Sequence, residues 1–273
     1  MVTTLRFVRR AMLVSMIPGM LSSSAACHDL EAPTDPTPGQ LVVHAVLDAS
    51  VSVQTVIVER ARTGVPVGRD GFGGNEAVTG ATVTISGPNA LEMVGQEQKD
   101  PNVPVPPGWY RFNLAAYGTR ILPGQTYLLH IRTLKGEDVT GHTTVPIASA
   151  VRRDDHLEIT TFRRERDTLR LSWPRVAGAA GFQVNVYWRS ALYTTFTDTS
   201  VMLPGSLRTI DNDPVFLRGT TTLVIASAVD TAYYEYYRVQ SDPFAGIAPG
   251  RLNGAVGVFG SAVPFLVVGL DIQ

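Results

Sequence analysis

Four tyrosines in one short stretch form the densest group of side chains that could contact a ligand. Residues 231–239 contain Tyr233, Tyr234, Tyr236 and Tyr237. We predict a short helix here, with Asp230 placed to accept hydrogen bonds from its first free amides. A buried stripe covers only part of a helix, so Tyr233 and Tyr237 are expected to share one face. Tyr234 and Tyr236 are expected to turn away from it, which leaves at least one ring exposed for stacking on a sugar or a peptide. The alternative is that the rings pack beneath a sheet.

Two short acidic runs have the oxygen density that metal ions require. The first is Asp211-Asn212-Asp213, but Pro214 follows it, and the glycine and distant glutamate of a calcium loop are missing. An Asx-rich turn is therefore predicted. The second run, residues 154–156, is Asp-Asp-His and lacks a further pair of ligands. The sequence predicts no metal site and no cofactor.

Catalytic side chains occur in the chain, but not at the spacings of known catalytic motifs. There is no Gly-x-Ser-x-Gly elbow, Ser-x-x-Lys, His-Glu-x-x-His or Walker loop. Two histidines, His44 and His130, lie within apolar runs, where a structural role is favoured over a ligand role. The complete set of histidines is His28, His44, His130, His142 and His156. We predict no catalytic residue and a protein that is not an enzyme.

The single cysteine, Cys27, follows a segment with the features of an export signal. Residues 1–26 combine a basic start, an apolar run too short to span a membrane and a series of small residues. The end of this segment resembles a bacterial lipobox, in which the cysteine sulfur is alkylated with diacylglycerol and becomes the new N-terminus. Ala25 and Ala26 fit that pattern, whereas Ser24 stands where leucine is usual.

Lipidation of Cys27 would attach the protein to a membrane, since each buried methylene contributes about 0.8 kcal/mol. The alternative is a plain secretory signal cleaved after Ala26. Residues 27–40 hold three prolines and no apolar period, and we interpret them as a lipidated cysteine followed by an extended tether. His28, rather than aspartate, follows the cysteine; by resemblance to lipoprotein sorting rules, this favours the outer membrane of the cell envelope.

Composition excludes several classes of protein. Of the 273 residues, 44% are apolar and only 17% are charged, with a formal net charge of −1. A nucleic-acid binder needs a basic surface that displaces counterions from phosphates, so that class is not expected. One cysteine also excludes an intramolecular disulfide framework and a cysteine-rich zinc module.

The mature chain has the pattern of short strands. After Gln40, apolar residues recur with a period of two, as in residues 81–86 and 126–134, and glycine or proline turns separate the runs. We predict an all-β protein of two tandem Ig-like or fibronectin type III-like β-sandwich domains, 41–147 and 150–273, with one short helix at 231–239. Residues 61–75 are rich in glycine and are predicted to form a loop.

Part of the second predicted domain resembles the fibronectin type III pattern. In that family a tryptophan on an early strand packs beneath an aromatic residue of the next strand. Trp173 and Phe182 occupy those two positions, in the sequence Leu-Ser-Trp-Pro followed by Gly-Phe-Gln-Val. The resemblance covers about twenty residues and implies a fold, not an activity.

A second resemblance covers nearly the whole mature chain. Its motifs, in order after the lipobox, are Leu-Val-Val-x-Ala at 41–45, residues 80–85, Gly108-Trp109-Tyr110, residues 123–129, residues 233–236 and residues 253–260. Their order is similar to that of a family of Gram-negative lipoproteins described only as a domain of unknown function and often encoded beside TonB-dependent receptors. Ala255 stands where that family commonly has a further glycine. The resemblance implies a membrane-anchored protein with an outer-membrane receptor as partner, and it carries over no catalytic residue.

These observations leave three hypotheses about function. The first is a non-catalytic envelope lipoprotein that binds a ligand or a receptor, for example in nutrient uptake. The second is a glycan- or peptide-active enzyme, which paired carboxylates about 5–9.5 Å apart in a groove would favour. The third is a structural adhesin or spacer. A sandwich fold hosts too many functions to decide among them.

Overall fold

The computed structural model describes residues 39–62, 75–97, 107–150, 159–189, 191–240 and 252–273. The predicted signal segment, Cys27 and nearly all of the predicted tether lie outside the described residues. Most of the glycine-rich loop at 61–75 and the acidic run at 154–156 also lie outside them.

The described residues form many short strands, one 3₁₀ turn and one α-helix. The strands are β1 (Leu41–Asp48), β2 (Val53–Arg60), β3 (Glu76–Ala77), β4 (Thr82–Ser86), β5 (Glu92–Val94), β6 (Gln96–Glu97), β7 (Trp109–Asn113), β8 (Thr126–Arg132), β9 (Asp138–Thr144), β10 (Ile159–Phe162), β11 (Thr168–Ser172), β12 (Gly181–Trp188), β13 (Ala191–Thr197), β14 (Ser200–Pro204), β15 (Thr221–Val229), β16 (Leu252–Asn253) and β17 (Val256–Ile272). The 3₁₀ turn spans Leu114–Tyr117, and the helix α1 spans Thr231–Gln240. The predicted all-β class with one short helix is confirmed.

Ten strands form one long sheet, called the central sheet below. Its order is β13-β12-β15-β17-β1-β2-β7-β6, with β10 beside β17 and β3 beside β2. A second sheet has the order β16-β9-β8-β4-β5, and β11 pairs with β14 alone. The sheets are layered as in a β-sandwich, because each layer buries one face. Strand β8 shows this directly, since its residues alternate between exposed and buried from Thr126 to Arg132.

Two hydrophobic cores lie against the central sheet. The first is enclosed by β1, β2 and β7 on one side and the five-stranded sheet on the other, and includes Val43, Phe112, Leu129 and Phe259. The second lies between β12, β15 and the β11–β14 pair. Its buried residues include Trp173, Phe182, Val184, Phe216 and Leu270. The division into domains at 41–147 and 150–273 stays a prediction, and the structure adds that β17 contributes side chains to both cores.

An irregularity in β17 lets one strand serve both cores. Ser227 of β15 lies opposite Pro264, but Ala226 lies opposite Leu266, so Phe265 is an extra residue. Side chains alternate along a strand, and one extra residue exchanges the two faces. Val263 therefore faces the first core and Leu270 the second, on the same side of the central sheet.

Helix α1 packs on the opposite side of the central sheet. Tyr233 clusters with Ala262, and Tyr236 clusters with Val258, both from β17. The close approach depends on Gly260, where a Cβ atom would lie 2.9 Å from the backbone nitrogen of Tyr233. Within the described part of the chain, no helix has the length and apolar character needed to cross a membrane.

Candidate functional site

Asp230 caps α1 as predicted and joins the helix to both layers of the sandwich. Its Oδ1 accepts hydrogen bonds from the backbone N–H of Tyr233 and of Ser261, each at 3.0 Å. Its Oδ2 accepts from the hydroxyl of Thr143 on β9, at 2.8 Å. The carboxyl group is buried, and this burial raises its pKa above the usual range. Asp230 is thus the point at which α1, β17 and the second sheet meet.

All four tyrosines of α1 contact the central sheet, and three of them lie on the stripe formed by positions 233, 236 and 237. The Tyr233 hydroxyl donates to Oε1 of Gln183 at 2.8 Å, and burial raises the pKa of this phenol. Tyr236 is buried at 3% exposure, and Tyr237 forms a hydrogen bond with Nε2 of His44. Burial lowers the pKa of His44 to about 4, so its ring is neutral near pH 7. These rings attach the helix to β1, β12 and β17.

The expected orientation of the tyrosines is therefore partly wrong. Tyr236 was expected to turn away from the sheet and is instead buried, because positions 233, 236 and 237 form one helical stripe. Tyr234 does not turn away from the sheet either: its ring lies over Gly181 of β12 and edge-on to Phe196 of β13, with ring centroids 5.7 Å apart. The Arg238 guanidinium lies 5.4 Å from the Tyr234 ring centroid. Tyr234 and Tyr237 are half-buried, so no ring of the set is as exposed as expected. A binding role for the four tyrosines stays a prediction.

The histidines and acidic residues do not converge on a metal centre in the part of the chain that the structure describes. His130 pairs with Asp138 across β8 and β9, at 3.2 Å, and both side chains are about half exposed. The Asp211-Asn212-Asp213 run forms a tight turn. Asn212 has a positive φ of 68°, and the Asp213 N–H donates to Oγ1 of Thr209 at 3.1 Å.

The structure also contains a cleft that the sequence did not indicate. It has a volume of about 480 Å³ and lies at the end of the central sheet that contains β7 and β6. Its wall combines apolar and polar side chains, namely Val53, Val94, Gln96, Glu97, Arg111, Asn113, Ala116 and Tyr117. This volume lies within the range of small-molecule sites. We call it the edge cleft.

The floor of the edge cleft is set by strand register. Arg111 and Asn113 are alternate residues of β7 and project from its exposed face, away from the first core. Val53 lies opposite Asn113, and Gln96 lies opposite Arg111. Directly opposed residues of antiparallel strands share a face. Four side chains from three strands thus form one continuous surface.

Tyr117 forms a rigid wall beside that surface. It ends the 3₁₀ turn, and Gly118 follows with a φ of 60° that reverses the chain. The Tyr117 hydroxyl accepts a hydrogen bond from the backbone N–H of Val94 at 3.0 Å. It also donates to the carbonyl oxygen of Val94 at 3.1 Å. Two bonds to one residue hold the ring in place, while 38% of the surface of Tyr117 stays exposed.

The edge cleft carries one positive and one negative side chain, Arg111 and Glu97. Glu97 accepts a hydrogen bond from the Gly80 N–H at 2.9 Å and is held by that contact. Arg111, Gln96 and Asn113 make no side-chain hydrogen bond to any other described residue. All three residues are exposed among the described residues, so within that part of the chain their donors and acceptors are open to a ligand.

Sequence reasoning missed this site because its residues come from distant parts of the chain. The alternating strand at Trp109–Asn113 indicates that Arg111 and Asn113 are exposed. Nothing in the local pattern places Tyr117 against Val94, since that contact depends on the folding of β5 beside the 3₁₀ turn. The signal that could have been used is one aromatic residue just after a strand with two exposed polar residues.

Comparison with known proteins places the chain among relatives of undetermined role. Residues 28–263 match a family described as "Domain of unknown function (DUF4249)". No curated protein matches the chain.

Three solved structures are similar to this chain at low identity. The FN1–FN3 domains of chicken CNTN1 share 12% identity, over 89% of this chain and 65% of that one, with a TM-score of 0.26. A Ca²⁺-stabilised adhesin of an ice-binding Antarctic bacterium shares 16% identity, over 88% of this chain and 50% of the adhesin chain, with a TM-score of 0.20. A pullulanase from Anoxybacillus sp. LM18-11 shares 8% identity, over 67% of this chain and 24% of the pullulanase chain, with a TM-score of 0.23. This chain spans less than two thirds of the length of each.

Proposed function

We propose that this chain, which belongs to the DUF4249 family of domains of unknown function, is a non-catalytic binding module. We further propose that a lipid attaches it to the outer membrane of the bacterial envelope. The edge cleft carries this proposal. It offers a fixed aromatic ring and three polar side chains without another described partner, on a surface built from strands. A site on strands keeps its geometry without a ligand, which lowers the entropic cost of binding.

Membrane attachment is proposed to occur through Cys27. The support lies in the sequence, because the only cysteine directly follows the small residues that end the apolar segment. The resemblance to lipoprotein sorting rules supports an outer-membrane location for the attached protein, and an outer-membrane receptor is its proposed partner. The tyrosine helix is a second candidate contact for that partner, through the half-buried rings of Tyr234 and Tyr237.

Labelling with a radioactive fatty acid tests the anchor. Wild-type protein should incorporate the label and sediment with outer membranes, and Cys27→Ala should do neither. Ser24→Leu is the matched control: it introduces the usual lipobox residue and should retain both properties. An unlabelled wild type, together with a Cys27→Ala variant that still sediments with membranes, would overturn the anchor.

Co-purification tests the binding role separately. Full-length protein extracted from outer membranes should retain a TonB-dependent receptor, and retention should fall when Tyr234 and Tyr237 are both changed to alanine. Retention of no envelope protein and no small ligand by the wild type would overturn the binding function. Turnover of a glycan or peptide by the purified protein would favour the enzyme hypothesis instead.

A further inference from the structure

We propose that the edge cleft binds a neutral saccharide; this inference rests on the binding function proposed above and names the ligand of that site. Saccharides present two kinds of surface, the C–H groups of the ring faces and a rim of hydroxyl groups. The edge cleft presents a counterpart to each.

The aromatic wall matches the C–H face of a sugar ring. Both hydrogen-bonding functions of the Tyr117 hydroxyl are occupied by Val94. The side chain therefore offers a ligand its apolar ring rather than its polar tip. Val53 and Val94 extend the apolar surface and are themselves 41% and 47% exposed. An aromatic ring with fixed orientation contributes contact area at low entropic cost.

The polar floor matches the hydroxyl rim. Each hydroxyl of a sugar can both donate and accept a hydrogen bond. Gln96 and Asn113 each supply a planar amide with two donor hydrogens and an acceptor oxygen, and Arg111 supplies a fork of five donors. Planar groups of this kind can bond two neighbouring hydroxyls at once. A purely apolar ligand would leave all three without partners and lose affinity.

The charge balance favours an uncharged ligand. Arg111 and Glu97 both line the cleft and carry opposite charges, although the register places Glu97 opposite Tyr110 and not on the face of Arg111. A phosphorylated or acidic sugar would be attracted by Arg111 and repelled by Glu97. A cation would be repelled by Arg111 and attracted by Glu97. Neither charge needs to be neutralised when a neutral molecule binds.

A peptide fits the edge cleft less well. Peptides commonly bind beside a sheet by adding a strand to its free edge through main-chain hydrogen bonds. Here β5 pairs with β4 on one side, and Tyr117 occupies the N–H and the carbonyl of Val94. Strand addition at β5 would have to break both bonds, and β6, the last strand of the central sheet, offers only the two residues Gln96 and Glu97. Recognition in this cleft depends on side chains, which favours a saccharide.

Titration calorimetry on the full-length protein tests the inference. The protein is kept in a detergent without a sugar headgroup, because maltosides and glucosides would compete for the site. The probes are neutral gluco-, manno-, xylo- and N-acetylglucosamine oligosaccharides, with a sialylated oligosaccharide and a mixed peptide pool for comparison. We expect saturable binding of at least one neutral probe.

Three variants locate that binding. Tyr117→Ala should weaken it at least tenfold, and Tyr117→Phe, which keeps the ring but loses both bonds to Val94, should weaken it less. Arg111→Met removes the donors and keeps the apolar stem, and should also weaken binding. Arg170→Met removes an exposed arginine of β11 in the other half of the chain and should have no effect. Unfolding midpoints should stay close to the wild-type value in all four, because the side chains changed and the bonds lost are exposed.

The possible outcomes separate the inference from the proposed function. Cleft-dependent binding of only the peptide pool or only the charged sugar overturns the saccharide and leaves the binding function standing. Binding of a neutral sugar that Tyr117→Ala leaves unchanged overturns the edge cleft as its site. If no probe binds at millimolar concentration while the receptor still co-purifies, the inference fails and the binding function again stands.

Discussion

Replacing Asp230 tests the contact that joins α1 to the two layers of the sandwich. Asp230→Ala removes the acceptor for three donors: the N–H groups of Tyr233 and Ser261 and the hydroxyl of Thr143. Loss of an N-cap costs about 1 kcal/mol, and each buried donor left unsatisfied costs about 1–3 kcal/mol. The Tyr233 N–H is the capped donor, and Thr143 can turn its hydroxyl toward Ser261. The lost cap and the unsatisfied Ser261 N–H together give an expected loss of about 2–4 kcal/mol.

Replacing Asp230 with asparagine keeps a hydrogen-bond acceptor at this position and removes the negative charge. In Asp230→Asn the amide oxygen can still accept from both N–H groups, and the amide nitrogen can donate to the Thr143 hydroxyl. We expect this variant to lie within about 1.5 kcal/mol of wild type at pH 7. Asp211→Ala, which changes an exposed aspartate in a turn, is the control and should have almost no effect.

The pH dependence gives a second, independent measurement. The pKa of Asp230 is raised in the folded protein because the carboxyl is buried. Its contribution to stability is therefore fully present below the unfolded pKa of about 4, and is lost as the pH rises through the folded pKa. Asparagine does not titrate, so the destabilisation by Asp230→Asn should be larger near pH 4 than at pH 7.

Urea unfolding followed by tryptophan fluorescence measures these free energies, since Trp173 and Trp188 lie in the second core. An alanine variant within about 1 kcal/mol of wild type would refute the role of Asp230 as a buried junction. A destabilisation by Asp230→Asn that does not change between pH 4 and pH 7 would refute the assignment of a raised pKa.

Two further predictions concern packing. Trp173→Ala should cost about 3–5 kcal/mol in urea unfolding, because the indole is 8% exposed and lies 5.4 Å from the Phe182 ring; a near-neutral effect would contradict its place in the core. Gly257→Ala should cost more than about 3 kcal/mol or prevent folding, because Gly257 has a φ of 115° and a Cβ atom would overlap the carbonyl oxygen of Val43. Its control, Gly219→Ala, has a φ of 70° and open space, and should cost about 1 kcal/mol; equal losses in the two variants would show that φ alone explains both.

Local patterns were sufficient to predict several parts of the fold. Alternation of apolar and polar residues predicted β4 and β8, because one face of each strand is buried and the other is in water. The position of Asp230 before a helical stretch predicted its cap. The fibronectin-like spacing predicted that Trp173 and Phe182 would meet, and their rings are in contact in the second core.

Features that depend on distant segments could not be predicted in this way. The parallel pairing of β1 with β17 has no local signal, and the extra residue Phe265 is visible only once β15 lies beside β17. The burial of Tyr236 likewise depends on Val258, which lies on another strand. The edge cleft was missed for the same reason, since Tyr117 and Val94 meet only in the folded chain.

The double role of β17 has a consequence for the order of folding. Val42 of β1 pairs with Val256, and Thr222 pairs with Leu270, so one late segment of the chain completes the sheet beneath both cores. A ribosome or translocon that releases the chain from its N-terminus exposes β1 long before its partner. Closing a loop of this length is slow relative to local pairing, and unpaired strands invite aggregation meanwhile. Both cores therefore stay incomplete until β17 has emerged and paired with β1 and β15.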